Sequence, residues 1–294
     1  MNHSLSYAVI TPARNEAGYL PKLAGCLAEQ TLLPSAWVIV DDGSEDGTSD
    51  VAAALAAAHD WIVVEGHHGE STPTRGGPVV RAFTAGVARL EDVPDVVVKL
   101  DADVTFDSDF FARLLAVLAS EPRLGIASGI CCELRRGKWR PLYGTRSHVW
   151  GAVRAYRREC LEEISPLEER QGWDEIDALK AHVRGWTART LFDLPFRHHR
   201  LEGERDGQIR RWADQGETAR YMGYRPTYLS LRVLYRMVRE PWALGMVWGY
   251  GVAALRRAPK LDDAAVRRHL RDQQRLRTLP SRAREALGLT AHSA

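Results

Sequence analysis

The chain has no run of the about 18 apolar residues that a spanning helix requires, so no segment reads as a membrane crossing. Its four cysteines, Cys26, Cys131, Cys132 and Cys160, lack the spacing of metal ligands and are expected to be reduced thiols in a cytoplasmic protein. Residues 1–6 lack a basic region followed by an apolar core, so no secretory leader is read. No internal repeat and no low-complexity segment is present. One-sided charge is also missing at first sight, since the net charge is only +2.

That balance hides an asymmetry. Residues 200–294 carry 19 basic against 10 acidic side chains, or +9, leaving −7 for residues 1–199. An acidic half followed by a basic half suggests two tasks. The length of 294 residues, 45% of them hydrophobic, is ample for a large core.

Residues 7–130 alternate strand and helix patterns. Strands are expected at Tyr7-Ala8-Val9-Ile10-Thr11, at 37–40, 61–64 and 96–100. Helices are expected around Leu20, Leu23 and Leu27, at 50–58, at 79–90, and from Phe110 to Leu118, the last capped by Ser108 or Asp109. This order predicts an α/β fold with a mostly parallel sheet covered on both faces. Beyond it, strands are read at 125–134, 149–156 and 187–192, and a helix at 173–183. Residues 207–285 read as basic helices interrupted at Pro226, Pro241 and Pro259. The expected division is a catalytic domain at 1–205 and a helical region at 206–294.

The most informative feature is Asp101-Ala102-Asp103, which closes the apolar run Val96-Val97-Val98-Lys99-Leu100. Two carboxylates at a strand end suit a divalent cation and a phosphorylated ligand, because Mg²⁺ and Mn²⁺ take oxygen ligands. A turn-capping role is the plain alternative. Val38-Ile39-Val40-Asp41-Asp42-Gly43-Ser44 is a second strand ending in two carboxylates. Two acidic strand ends in one α/β segment suggest one ligand site at the carboxyl edge of the sheet.

Pro12-Ala13-Arg14-Asn15-Glu16, Val40-Asp41-Asp42-Gly43-Ser44, Asp101-Ala102-Asp103 and Gly172-Trp173-Asp174-Glu175-Ile176-Asp177 occur in that order. Together they resemble the family 2 glycosyltransferases of the GT-A fold, over roughly residues 7–200. The resemblance implies a Rossmann-like sheet, a nucleotide-diphosphate sugar donor, Mn²⁺ or Mg²⁺, and inversion at the anomeric carbon. It implies donor contacts at Pro12, Glu16, Asp41, Asp42, Arg75 and Asp101, and metal ligands at Asp101 and Asp103. The helix start at Gly76-Gly77-Pro78 departs from the family's usual pattern, which weakens the assignment of Arg75.

The resemblance also places a catalytic base in the acidic pair Asp174-Glu175. Matching by position favours Glu175. Helix geometry favours Asp174, which lies in the first turn and shares a face with Asp177. Family members supply a histidine ligand near Phe196-Arg197-His198-His199-Arg200, and strand alternation puts His198 and His199 on opposite faces without choosing between them.

The remaining long apolar run, 241–255, holds Trp242 and Trp248. Arg236 and Arg239 precede it, and Arg256, Arg257 and Lys260 follow. It is too short to span and suits either an interfacial helix or a packed one. The expected protein is an inverting, metal-dependent glycosyltransferase working on a glycan or lipid-linked acceptor, cytoplasmic and peripheral on an anionic membrane, with no nucleic-acid partner. A nucleotidyltransferase, or a non-catalytic nucleotide- or glycan-binding protein, is the alternative.

Overall fold

The structure, a computed structural model, describes residues 5–66, 76–142, 148–200, 208–238 and 240–275. The chain divides into two compact units, residues 1–201 and 202–294.

The first unit begins β1 (Tyr7–Ala13), α1 (Leu20–Ala28), β2 (Ala36–Asp41), α2 (Thr48–Ala58), β3 (Ile62–Gly66), α3 (Gly77–Ala88) and β4 (Val96–Leu100). It continues with β5 (Val104–Phe106), α4 (Phe110–Ser120), β6 (Leu124–Arg135), β7 (Lys138–Pro141), β8 (Val153–Arg157), α5 (Arg158–Ile164), α6 (Trp173–Val183) and β9 (Thr187–His198). The strands form one mixed sheet in the order β3-β2-β1-β4-β8-β6-β9-β5, with β7 paired to β6. The four strands from β3 to β4 run parallel, as their alternation with helices demands. The second half adds antiparallel pairs of β8 with β4 and with β6.

Strand alternation builds a core on each face. Val9, Ile39, Val96 and Val98 pack with Leu20, Leu23, Phe111 and Leu114 on one side. Ile10, Val38, Val40 and Val97 pack with Val80, Phe83, Cys160 and Trp173 on the other. These strands are buried on both faces, which explains their near-continuous apolar sequence.

Two strand expectations are corrected. The strand read at 149–156 is β8 and starts only at Val153. The preceding stretch is held by side chains, with Arg154 donating to the Val149 carbonyl at 2.6 Å and Thr190 to that of His148. The strand read at 187–192 runs on to His198. A bulge absorbs three residues between the pairs Gly129–Leu191 and Ile130–Pro195. The segment from Phe196 to His198 is therefore the end of β9 rather than a loop after it.

The second unit contains α7 (Gln208–Met222), α8 (Pro226–Met237), a 3₁₀ turn at Pro241–Leu244, α9 (Gly245–Leu255) and α10 (Ala264–Gln273). Helices α7 and α9 approach until backbone meets backbone. A Cβ on Gly249 would stand 1.8 Å from the Ala213 carbonyl oxygen, and one on Gly216 2.1 Å from that of Met246. Only glycine permits this contact.

Candidate active site

Strand order creates the site. From β1 the chain passes to β2 and β3 on one side, then returns to β4 on the other. The carboxyl ends of β1 and β4 therefore part at a topological switch point, where open α/β sheets bind ligands. The segment Pro12–Glu16 leaves one end and Asp101–Asp103 leaves the other. Asp41 lies beside Ala13 in the register of β1 and β2.

Asp101, Asp103 and His198 converge, with one ligand atom from each within 4.8 Å of the others. His198 Nε2 stands 3.3 Å from Asp103 Oδ1. Buried Lys99 pairs with Asp101 and donates to the Gly151 carbonyl at 2.8 Å. Arg200 forks onto Glu16 at 2.9 and 2.8 Å and holds its Nε 3.7 Å from Asp103 Oδ2. Three basic side chains thus face the two carboxylates.

The two aspartates differ in proton affinity. Burial pushes the Asp101 carboxyl up, with Lys99 acting against it. Burial would also raise Asp103, but the His198 hydrogen bond and the charges of His198 and Arg200 bring it below the ordinary carboxylate range. Burial lowers the affinity of His198, yet its bond to Asp103 leaves it above the usual histidine value. A hard carboxylate pair with one imidazole is a donor set that fits Mn²⁺ or Mg²⁺.

His199 does not join this cluster. Its backbone N–H donates to the Asp103 carbonyl at 2.9 Å, but its ring meets the Thr105 hydroxyl at 2.9 Å and the Trp139 ring edge-on. Alternation at the end of β9 separates the two rings, and the pairing of β9 with β5 fixes which one faces the aspartates.

The β1 and β2 ends interlock. Asp41 accepts from the Ser44 N–H at 3.0 Å and from the Ser44 and Ser49 hydroxyls. Asp42 donates its N–H to the Ala13 carbonyl at 2.9 Å. Glu16 donates its N–H to Thr48 Oγ1 at 2.8 Å, and Asn15 Oδ1 accepts from the Glu45 N–H at 2.8 Å. Asn15 adopts a φ of 58°, which its short polar side chain tolerates. Pro12, half-buried, sits opposite Val40. Arg75 lies outside the described residues. Beside it, Gly76 has a φ of 80°, and a Cβ there would stand 2.7 Å from the Arg170 carbonyl oxygen, so glycine brings the start of α3 against the loop before α6.

The family model for glycosyl transferase family 2 matches residues 8–165. The chain belongs to this family. It is 32% identical to the polyprenol monophosphomannose synthase of Mycolicibacterium smegmatis, over 53% of this chain and 63% of that protein. It is 28% identical to the 4,4'-diaponeurosporenoate glycosyltransferase of Staphylococcus haemolyticus, over 40% of this chain and 29% of that protein. The chain thus spans less than two thirds of the curated relatives it matches. A mannosyltransferase from Pyrobaculum calidifontis, solved with GDP-Man and Mn²⁺, superposes with a TM-score of 0.59 at 20% identity, covering 98% of this chain and 87% of that one. S. aureus TarS with UDP-GlcNAc superposes at 0.56 with 18% identity, covering 73% and 66%. These likenesses establish the GT-A fold.

In this member of the family the acidic pair opens α6. Asp174 is half-buried and Glu175 is exposed. A Cβ on Gly151 would stand 3.7 Å from Asp174 Oδ2, and the Gly151 carbonyl is the one that Lys99 grips beside Asp101. Asp174 therefore borders the aspartate cluster through Gly151.

Asp177 proves to be a structural partner of Arg154. Both are fully buried. Arg154 donates to Asp177 Oδ2 at 3.1 Å and to the Asp174 carbonyl at 2.7 Å, and the Tyr156 hydroxyl donates to Asp177. The pair fixes the first turn of α6 against β8. Sequence reasoning missed Lys99, Arg154 and Arg200 as site-building residues. Lys99 carried a signal, a lone cation inside an otherwise apolar strand.

Proposed function

We propose that the chain moves a sugar from a nucleotide-diphosphate donor to a lipid-linked acceptor with inversion at the anomeric carbon. The observation that carries this reading is the convergence of Asp101, Asp103 and His198 at the switch point. These residues would hold Mn²⁺ or Mg²⁺, which neutralises charge on a diphosphate leaving group without proton transfer. Asp41 and Asp42 suit ribose hydroxyls or a base N–H, since a carboxylate is an acceptor. Asp174 takes the proton from the acceptor hydroxyl as it attacks the anomeric carbon on the face opposite the diphosphate.

The acceptor class draws support from the two curated relatives, named for a polyprenol and for a diaponeurosporenoate. The first favours a second reading, in which the acceptor is a polyprenyl monophosphate. An ionised phosphate oxygen attacks without a base, and Asp174 then has no proton to remove. Either acceptor places the work at a membrane surface.

The test is calorimetric titration of GDP-mannose and UDP-GlcNAc into wild type and Asp103→Ala, with and without Mn²⁺, followed by turnover of whichever donor binds. Binding in wild type only with Mn²⁺, and none in Asp103→Ala, is the expected result. Equal donor binding by the variant rules out the metal-site reading.

A further inference from the structure

Helix α8 is apolar on two opposite faces. Leu229 and Val233 are buried. Leu231, Leu234, Tyr235 and Val238, spaced i, i+3, i+4 and i+7, form an exposed stripe on the other side, with Val238 85% exposed. The run that follows repeats the pattern. Met246, Gly249 and Ala253 face inward, while Leu244, Val247, Trp248 and Leu255 face out, with Trp248 72% exposed. The 3₁₀ turn between the helices adds exposed Trp242. Scattered exposed leucines are ordinary, but two ordered apolar stripes joined by a turn are not.

The charges around these stripes say what covers them. Residues 226–260 contain six basic side chains and a single acidic one, Glu240. Five arginines (Arg225, Arg267, Arg268, Arg271 and Arg275) line a depression of about 380 Å³ with Asp272 as its sole acidic residue. Arg225 immediately precedes α8, so the depression lies at one end of that helix and Val238 at the other, about 18 Å away by the helical rise.

We propose that α8, the 3₁₀ turn and α9 form a docking face for an anionic lipid bilayer. The aromatic and aliphatic stripes enter the acyl boundary, and the arginine-lined depression takes lipid phosphates. An apolar face rimmed by arginine, with tryptophan and tyrosine at the boundary, matches the chemistry of an interface between headgroups and chains. A protein partner of the same shape would need a strongly acidic rim around an apolar centre, and a second copy of this chain would bring like charge to like charge. Arg275 pairs with Asp272, and Arg225, Arg267 and Arg271 each donate to a backbone carbonyl, which is neutral, so the depression keeps an excess of positive charge that favours an anionic surface.

The full chain is tested by co-sedimentation with vesicles of phosphatidylcholine alone or with about one third phosphatidylglycerol. Wild type should pellet with the anionic vesicles at low salt, weaken but persist at high salt, and bind phosphatidylcholine at least about tenfold less. Leu234→Ser with Trp248→Ser should weaken anionic binding about tenfold or more, because these exposed side chains supply the apolar burial. Arg267→Gln, Arg268→Gln and Arg271→Gln together should abolish the preference for anionic vesicles while leaving the weak phosphatidylcholine binding. Unchanged circular dichroism and melting temperature show that each variant is folded. Wild type remaining in the supernatant, the apolar variant pelleting like wild type, or a stable dimer of the lipid-free chain would each overturn the proposal. No sugar donor enters the assay, so its result is separate from that of the transfer experiment.

Discussion

Arg200 holds Glu16 by both carboxylate oxygens, tying the end of β9 to the end of β1 across 184 residues of sequence. The same guanidinium reaches toward Asp103 and lies over the Tyr19 ring. One side chain therefore braces both lips of the switch point. A bidentate guanidinium–carboxylate pair supplies fixed geometry as well as charge.

Arg200→Gln should weaken donor binding by about tenfold or more, because it removes the positive charge held between Glu16 and Asp103 at the proposed diphosphate site. Arg200→Lys should fall between, since it keeps the charge and loses the fork. Calorimetry with the nucleotide diphosphate measures this, and an affinity equal to wild type in the glutamine variant would remove Arg200 from the donor site.

Asp174→Asn should keep donor binding and lose transfer by about 10²–10⁴-fold, the usual cost of removing a general base. Glu175→Gln should stay near the wild-type rate, because Glu175 is exposed while Asp174 borders the aspartates through Gly151. The reverse pattern assigns the base to Glu175. Full activity in both variants points instead to a phosphate acceptor, which requires no base.

Arg154→Met should destabilise the first unit by about 3–5 kcal/mol, the range for removing one partner of a buried ion pair. Asp177 would be left without its guanidinium, and the start of α6 would lose the bond to the Asp174 carbonyl. Urea unfolding measures the loss. Arg154→Met together with Asp177→Leu should recover part of it, because no unpaired charge then remains buried. A double variant as unstable as the single one would show that the ion pair is not the cause.

Much of this architecture was legible in the sequence because it follows from local pattern. Short apolar runs placed β1 to β4, and the 3.6-residue period placed the helices between them. Apolar runs ending in Asp41 and Asp101 marked the carboxyl edge of the sheet, and the order of four short motifs pointed to the family. Prolines at 226 and 241 marked where the C-terminal helices begin. These signals depend only on neighbours along the chain.

Other features required distance in space. The extension of β9 to His198 depends on a bulge set by its pairing with β6, which no alternation in 187–198 announces. The choice between His198 and His199 was made by which ring that strand end turns toward Asp103. Asp174 and Asp177 share a helix face, yet one borders the site and the other is sealed under Arg154, because Arg154 of β8 reaches the carboxylate of Asp177 but only the backbone carbonyl of Asp174. On α8 the sequence shows leucines and arginines in plenty, and only packing decides which leucines are spent on the core and which remain outside. Sequence fixes what each side chain can do; the fold decides which groups come within reach of one another, because hydrogen bonds, ion pairs and burial all act over a few ångströms.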